Sequence, residues 1–402
     1  MKQKVQAALA AIMIMAMAGL ASGDEISELR KQVEMLSKKL EKLEAQQQQQ
    51  KSVFEEQIDK VAAQKSEAKL PDSLKWAETL KFYGDFRYRH ESIDDETASE
   101  QRDRNRIRAR LGVKAKVNDE FGVNFRLASG DDDPVSTNET LDDSFSTKDI
   151  RLDRAYAIWT PNWSDPTTIQ MGKMGVPFFK AGGNQLIWDD DLSVEGVSAN
   201  YGWSLNDNTS AEVTGAGFWV DERSSDVDTS LWGIQGLINR DLSSDSSVTA
   251  GATYYDYGNI EGIPTTTIGT LSSDYNIFEA LAEYSTKINS VPVKVYGNWV
   301  NNTAADTGED TGYLLGMTYN KAKKQGTWQL GYQYRDLEQE AVVGAFSDSD
   351  FIGGGTNGKG HKFSFAYALA KNTTAGVTYF MNEKGDDETD YDRLQIDLKY
   401  KF

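Results

Sequence analysis

The run Arg102–Val117 constrains this chain more than any other stretch. It reads RDRNRIRARLGVKAKV, with Arg104, Arg106, Arg108 and Arg110 on every second residue. Ile107, Ala109, Leu111, Val113, Ala115 and Val117 fill the alternate places. A strand sends successive side chains to opposite faces. The run therefore carries a basic ladder on one face and an apolar surface on the other. Three settings suit such a strand: a nucleic-acid surface, a solvated sheet over a soluble core, or a membrane barrel with arginines in a wet lumen and aliphatics in lipid.

The chain opens with an export signal. Lys2 and Lys4 form a positive segment, Val5–Leu20 is apolar, and Ala21-Ser22-Gly23 supplies small residues before Asp24, where cleavage is expected. No later stretch is apolar enough for a membrane helix. The net charge is −19, which argues against nucleic acid as a partner despite the local ladder. Cysteine is absent and histidine occurs only as His90 and His361. A thiolate metal site is thereby excluded, and a histidine-based zinc site or triad is tightly constrained. A hydrolase needs a nucleophile and a base at one site, and neither histidine lies in a Ser-rich motif, so the reading is that of a non-enzyme with no cofactor. Asp131–Asp133 and Asp386–Glu388 are acidic runs that lack calcium-loop spacing and read as plain loops. Neither is taken as a metal site.

Residues 24–70 carry apolar positions at Ile26, Leu29, Val33, Leu36, Leu40 and Leu43, spaced 3-4-3-4-3. That is a heptad seam, weakened afterwards by Gln47, Gln50 and Gln57. A self-associating periplasmic coiled coil over 24–70 is expected, followed by a linker at 71–78 that Pro71 opens. From Thr79 the period changes to two, and sixteen candidate strands follow to Phe402. Short turns are expected after the even-numbered strands and long acidic loops after the odd-numbered ones. Outer-membrane barrels alternate in that way. The fold class is therefore all-β: a sixteen-stranded antiparallel transmembrane barrel over 79–402, preceded by a short helical coiled coil. Trp159, Trp163, Tyr201, Trp203, Tyr400 and Phe402 fall near the short-turn ends, where an aromatic girdle belongs.

Several motifs carry a resemblance. Gly84–Glu91 (GDFRYRHE), Arg104–Gly130, Ser136–Leu141 (STNETL), Leu152–Trp159 (LDRAYAIW), Met171–Met174 (MGKM) and Leu186–Tyr201 (LIWDDDLSVEGVSANY) are similar to the putative-porin family of Gram-negative outer membranes. The match spans about residues 80–201, and the terminal Phe402 resembles the signal read by the barrel-assembly machinery. The resemblance implies a water-filled homotrimeric channel for small hydrophilic solutes, set in outer-membrane lipid and lipopolysaccharide. It also implies that the loop after the fifth strand, Gly175–Asp191, folds inward. The expected pore wall is Arg87, Arg89, Arg104, Arg106, Arg108, Arg110, Lys114 and Arg126, opposed by a constriction of Trp188, Asp189, Asp190 and Asp191. Asp153 is expected to pair with its neighbour Arg154 in the wall. Two other readings stand beside a general porin. One is a substrate-specific anion channel. The other is an envelope tether whose 24–70 segment touches peptidoglycan or a periplasmic partner.

Overall fold

The structure is a computed structural model that describes residues 77–402 other than Thr266, with isolated helical positions at Lys31, Met35, Lys38, Lys39 and Lys42. The signal peptide, nearly all of the coiled coil and most of the linker lie outside the described residues.

Sixteen full strands follow. They are β1 (Leu80–Asp95), β2 (Arg102–Lys116), β3 (Phe121–Ser129), β4 (Ile150–Trp159), β5 (Thr168–Gly175), β6 (Ser193–Asn206), β7 (Thr209–Asp221) and β8 (Thr229–Ser243). The second half comprises β9 (Ser246–Gly258), β10 (Asn276–Ile288), β11 (Val291–Asn302), β12 (Thr311–Tyr319), β13 (Trp328–Leu337), β14 (Gly358–Ala370), β15 (Thr373–Lys384) and β16 (Thr389–Lys401). Each pairs antiparallel with its sequence neighbours. β16 returns to β1 with Asp85 opposite Lys401 and Asp95 opposite Tyr391, which closes the barrel. One added strand of two residues, Glu139–Thr140, pairs with β2 above the end of β3. The sequence carried no sign of it.

The alternation predicted for the ladder holds. Leu111 and Val117 are exposed on the outer face, as are Phe82, Phe125, Leu315, Phe363 and Ile396 around the ring. An apolar belt of that extent is tenable only against lipid or another protein. Aromatics group at the short-turn rim: Phe121 stacks on Trp159 at 5.8 Å, and Tyr201 on Trp203 at 5.7 Å. The hairpin between β10 and β11 needs only Asn289 and Ser290, both with positive φ, the geometry that matches strand twist.

Two expectations about connections need correction. The link after β15 is only 385–388, although a long loop was expected there. The turns at 160–167 and 320–327 are as long as the shorter loops. The long segments that matter are 130–149, 176–192, 259–275 and 338–357. They fold inward, and most of the hydrophobic core therefore lies inside the lumen.

That core joins Phe178, Leu186, Ile187, Trp188 and Leu192 of the 176–192 loop to Phe218, Leu231, Tyr255, Ile277, Val300, Leu314 and Leu337 on β7–β13, with Val342 and Val343 above. Each buried aliphatic or aromatic side chain contributes about 1.5–3 kcal/mol. A purely polar lumen would give the loop no such hold.

Candidate functional site

The inward face of β1 presents Asp85, Arg87, Arg89 and Glu91. The register with β2 sets these opposite Arg110, Arg108, Arg106 and Arg104 in turn. Two of the four cross-strand pairs are thus arginine against arginine, which is destabilising by itself. Carboxylates from β16 and from two loops offset it. Arg89 grips Asp397 of β16 with Nε at 2.7 Å and Nη2 at 3.0 Å, and reaches Asp350 of the 338–357 loop at 3.0 Å. Arg393 of β16 holds Glu91 at 2.6 Å and Asp350 at 2.7 Å. Glu91 also takes Arg104 and, at 3.6 Å, Arg106. Burial pushes the Asp350 carboxyl up, but Arg393 and Arg89 outweigh it and hold it well below the usual range.

Arg87 differs from the other wall arginines. It donates through Nη2 to Asn138 Oδ1, its Nε has no hydrogen-bond partner, and it forms no ion pair with a described carboxylate. Lower on the wall, Lys114 lies 5.5 Å from the centre of the Tyr83 ring. The Tyr83 ring occupies the space that a side chain at Gly112 would need, with its Cζ 2.3 Å from where a Cβ would stand. Arg126 bonds Asp153. The expected Asp153–Arg154 pair is therefore replaced. A register shift at Arg126/Leu127 turns Asp153 toward Arg126, while Arg154 Nε donates to Ser193 Oγ at 3.2 Å.

The 176–192 loop leaves β5, runs along the β7–β11 side and returns to β6 past the ladder. Phe179 N donates to Gln235 Oε1 at 2.7 Å, and Gln235 Nε2 donates back to Phe179 O at 3.0 Å. Gly182 N donates to Glu283 Oε2 at 2.7 Å. Trp188 Nε1 donates to Tyr255 Oη at 3.1 Å, and the two rings meet edge to face.

The three consecutive aspartates part company here. Only Asp191 meets the ladder, with Oδ1 3.0 Å from Arg110 Nη1 and 3.3 Å from Arg108 Nη1. Asp85 bridges the same two guanidinia from the other side, at 2.8 Å and 2.7 Å. The result is a closed quartet of two cations and two anions. Burial raises the Asp191 carboxyl, but Arg108 and Arg110 hold it below the ordinary range. Asp190 is exposed and pairs with Lys180 of its own loop. Asp189 is buried and takes the amides of Ser349 at 2.9 Å and Asp191 at 2.7 Å. The loop thus docks onto the arginine wall through one residue, rather than facing it across open water with three.

At the long-loop end the lumen opens into two cavities of about 710 and 720 Å³, both lined by Asp133, Pro134, Ser136 and Thr267. The first is bordered by Asp131, Asp132 and Glu195 together with Trp219, the second by Arg102, Arg104, Arg106 and Arg393. Half-way round the ring from β2, Glu279 and Glu283 point inward from β10, and Glu279 bonds Asn298 Nδ2 at 2.9 Å. The two histidines lie on strands at exposed contacts, His90 with Asn105 at 3.1 Å and His361 with Tyr332 Oη at 2.9 Å. Among the described residues no cluster of histidine and acidic side chains could hold a metal ion.

The role of the 338–357 loop was missed from the sequence, as were Glu91, Asp350, Arg393 and Asp397 as partners of the wall. A sign was available in the loop: Ala341-Val342-Val343 and Phe351-Ile352 are apolar pairs and triplets in a polar connection, and all are buried.

No curated protein matches the chain. Among solved structures, OprB of Pseudomonas putida at high pH aligns with TM-score 0.56 and 10% identity, covering 81% of this chain and 95% of that one. OmpF of Salmonella typhi in complex with daunomycin aligns with TM-score 0.52 and 13% identity, covering 80% and 97%. At such identities these likenesses concern the fold alone. The family model described as "Putative porin" matches residues 93–291 and again 269–402, well beyond the motifs at 80–201. The chain belongs to the putative-porin family.

Proposed function

We propose that the protein is an outer-membrane channel for passive diffusion of small hydrophilic solutes and ions, with the β1–β4 and β16 face as a basic wall. The observation that carries this reading is the continuity of the arginine row with an open cavity. Arg102, Arg104 and Arg106 border a space of about 720 Å³ at the long-loop end, and Arg108 and Arg110 continue the row to the docked 176–192 loop. The acidic side of the lumen holds Asp190 on the loop, paired with Lys180, and Glu283 on β10, paired with Lys294 at 2.6 Å, whereas Asp191 is taken by the arginines themselves. A transverse field of this kind orients dipolar solutes and disfavours apolar ones. Reversal potential in a salt gradient across a planar bilayer tests it. A folded barrel that carries no current would overturn the reading.

Arg87, which forms no ion pair with a described carboxylate, favours a second reading, an anion-selective channel with a preferred solute. Saturable block of conductance by a small carboxylate or phosphate separates the two. The outward apolar belt supports residence in outer-membrane lipid beside lipopolysaccharide, and its aliphatic patches suit a homotrimer. Phe402 is proposed as the handle for the barrel-assembly machinery. Residues 24–70 are proposed as a periplasmic coiled coil and tether. Deleting 24–70 should detach the envelope contact while leaving conductance intact.

A further inference from the structure

We propose that the 176–192 and 338–357 loops form a single gate across the lumen, latched at Asp189 and Asp348, shut while Asp189 carries a proton and loosened when that proton leaves. The inference rests on the channel reading above.

The two loops are stitched together along one seam. Asp189 N donates to Phe346 O at 2.8 Å, and Asp348 N donates to Gln185 O at 3.3 Å. Ser349 N donates to Asp189 Oδ2 at 2.9 Å, and Ser347 Oγ donates to Leu186 O at 3.2 Å. Trp188 stacks on Phe346 with ring centres 6.1 Å apart. These contacts tie the tip of one loop to the middle of the other, so neither can leave the lumen alone.

The seam holds two carboxyls, one from each loop. Asp189 is 6% exposed and Asp348 is 2% exposed. The charged groups that face them come from several elements. Arg335 of β13 is fully buried beneath the seam. Its Nη2 donates to Ser347 Oγ at 2.8 Å, its Nε and Nη1 have no partner, and the Phe351 ring lies 4.4 Å away. Lys362 of β14 reaches Asp348 Oδ2 at 3.5 Å. On the ladder side Arg108 and Arg110 are taken by Asp191 and Asp85, and Arg89 and Arg393 by Asp350. Lys180 is taken by Asp190. No described cation forms an ion pair with Asp189.

Burial, with Asp348 reinforcing it, pushes the Asp189 carboxyl up to about 8, against the two amides that favour its anion. A group raised in this way stabilises the closed seam fully below its ordinary range, and the contribution is lost as pH rises through about 8. The anion would sit on one loop facing the Asp348 carboxylate on the other, so repulsion acts directly across the seam.

The test is single-channel current of the purified full-length protein in planar bilayers from about pH 4 to about pH 10, a range that brackets the ordinary aspartate value and the raised one. The wild type should show conductance and flicker rising between the ordinary aspartate range and about 8, and levelling off above it. Asp189→Asn should abolish the step and stay at the low-pH level. Asp348→Asn should move the rise to lower pH, because it removes the charge that reinforces burial at Asp189. A flat wild-type profile, or an unchanged step in Asp189→Asn, overturns the gate. If Asp189→Asn does not assemble, an unshifted rise in Asp348→Asn overturns it instead. Current without a pH step defeats the gate alone, whereas absence of current from a folded barrel defeats the channel reading.

Discussion

Asp191 Oδ1 lies 3.0 Å from Arg110 Nη1 and joins residues 81 positions apart in the chain. The same oxygen takes Arg108 at 3.3 Å, and Asp85 closes the group from below. An inserted loop is thereby fixed to a strand whose two arginines would otherwise share Asp85 alone. The contact serves both partners: it seats the loop and relieves the wall.

Asp191→Ala should destabilise the barrel, by less than the ~3–5 kcal/mol of a fully broken buried pair, because Asp85 keeps both guanidinia partnered. Denaturant unfolding in lipid vesicles, followed by heat-modifiable mobility, measures it. The wild-type contribution is present above the ordinary aspartate range and is lost as pH falls through the depressed value. The difference between wild type and variant should therefore shrink in acid. A gap that stays constant down to strongly acidic pH contradicts the pairing.

Trp188→Ala should release the loop from the β7–β13 side. It removes the Tyr255 hydrogen bond and two ring contacts, at a cost of about 3–5 kcal/mol for a buried tryptophan. Single-channel conductance should rise, since the loop would no longer narrow the lumen. Unchanged conductance in a correctly assembled variant would mean that the loop is not the constriction.

Arg106→Ala combined with Arg108→Ala should shift the reversal potential toward cation preference. Asp190→Asn should shift it the opposite way, because Asp190 is the one aspartate of the triplet exposed to the lumen. Asp189→Asn should leave ion selectivity near neutral pH unchanged. Equal effects from Asp189→Asn and Asp190→Asn would restore the simpler picture of three equivalent acids.

Gly84→Val should impair assembly. A Cβ at that position would stand 2.3 Å from the Arg110 carbonyl oxygen and 2.5 Å from the Phe402 ring. Gly84 also exchanges both backbone hydrogen bonds with Phe402, each 3.1 Å, at the seam where β1 meets β16. The fraction of heat-modifiable barrel in outer-membrane fractions should fall sharply. Normal yield would argue that the seam tolerates a displaced terminus.

The sixteen strands were legible because lipid outside and water inside impose a period of two that a sequence displays directly. The exceptions have one cause. The β10 segment was ambiguous in register because Ile277 and Leu281 face inward while Phe278 and Ala282 face outward. Both faces are apolar there, as the lumen face is covered by the 176–192 loop. Long-range pairing was equally hidden: nothing near Asp189 distinguishes it from Asp190 or Asp191 in a run of identical residues.

The sequence by itself therefore determined the barrel, its strand count and the inward direction of the arginines, since each follows from local alternation and spacing, while the insertion point of the loop followed from the family resemblance. Only the tertiary structure decided which aspartate meets Arg108 and Arg110, and that Glu91, Asp350 and Asp397 pair with Arg89, Arg104 and Arg106. It also decided that the 338–357 loop shares the lumen. Charge pairing depends on distance in space, and strand closure brings together residues about 300 positions apart, as at Arg89 and Asp397.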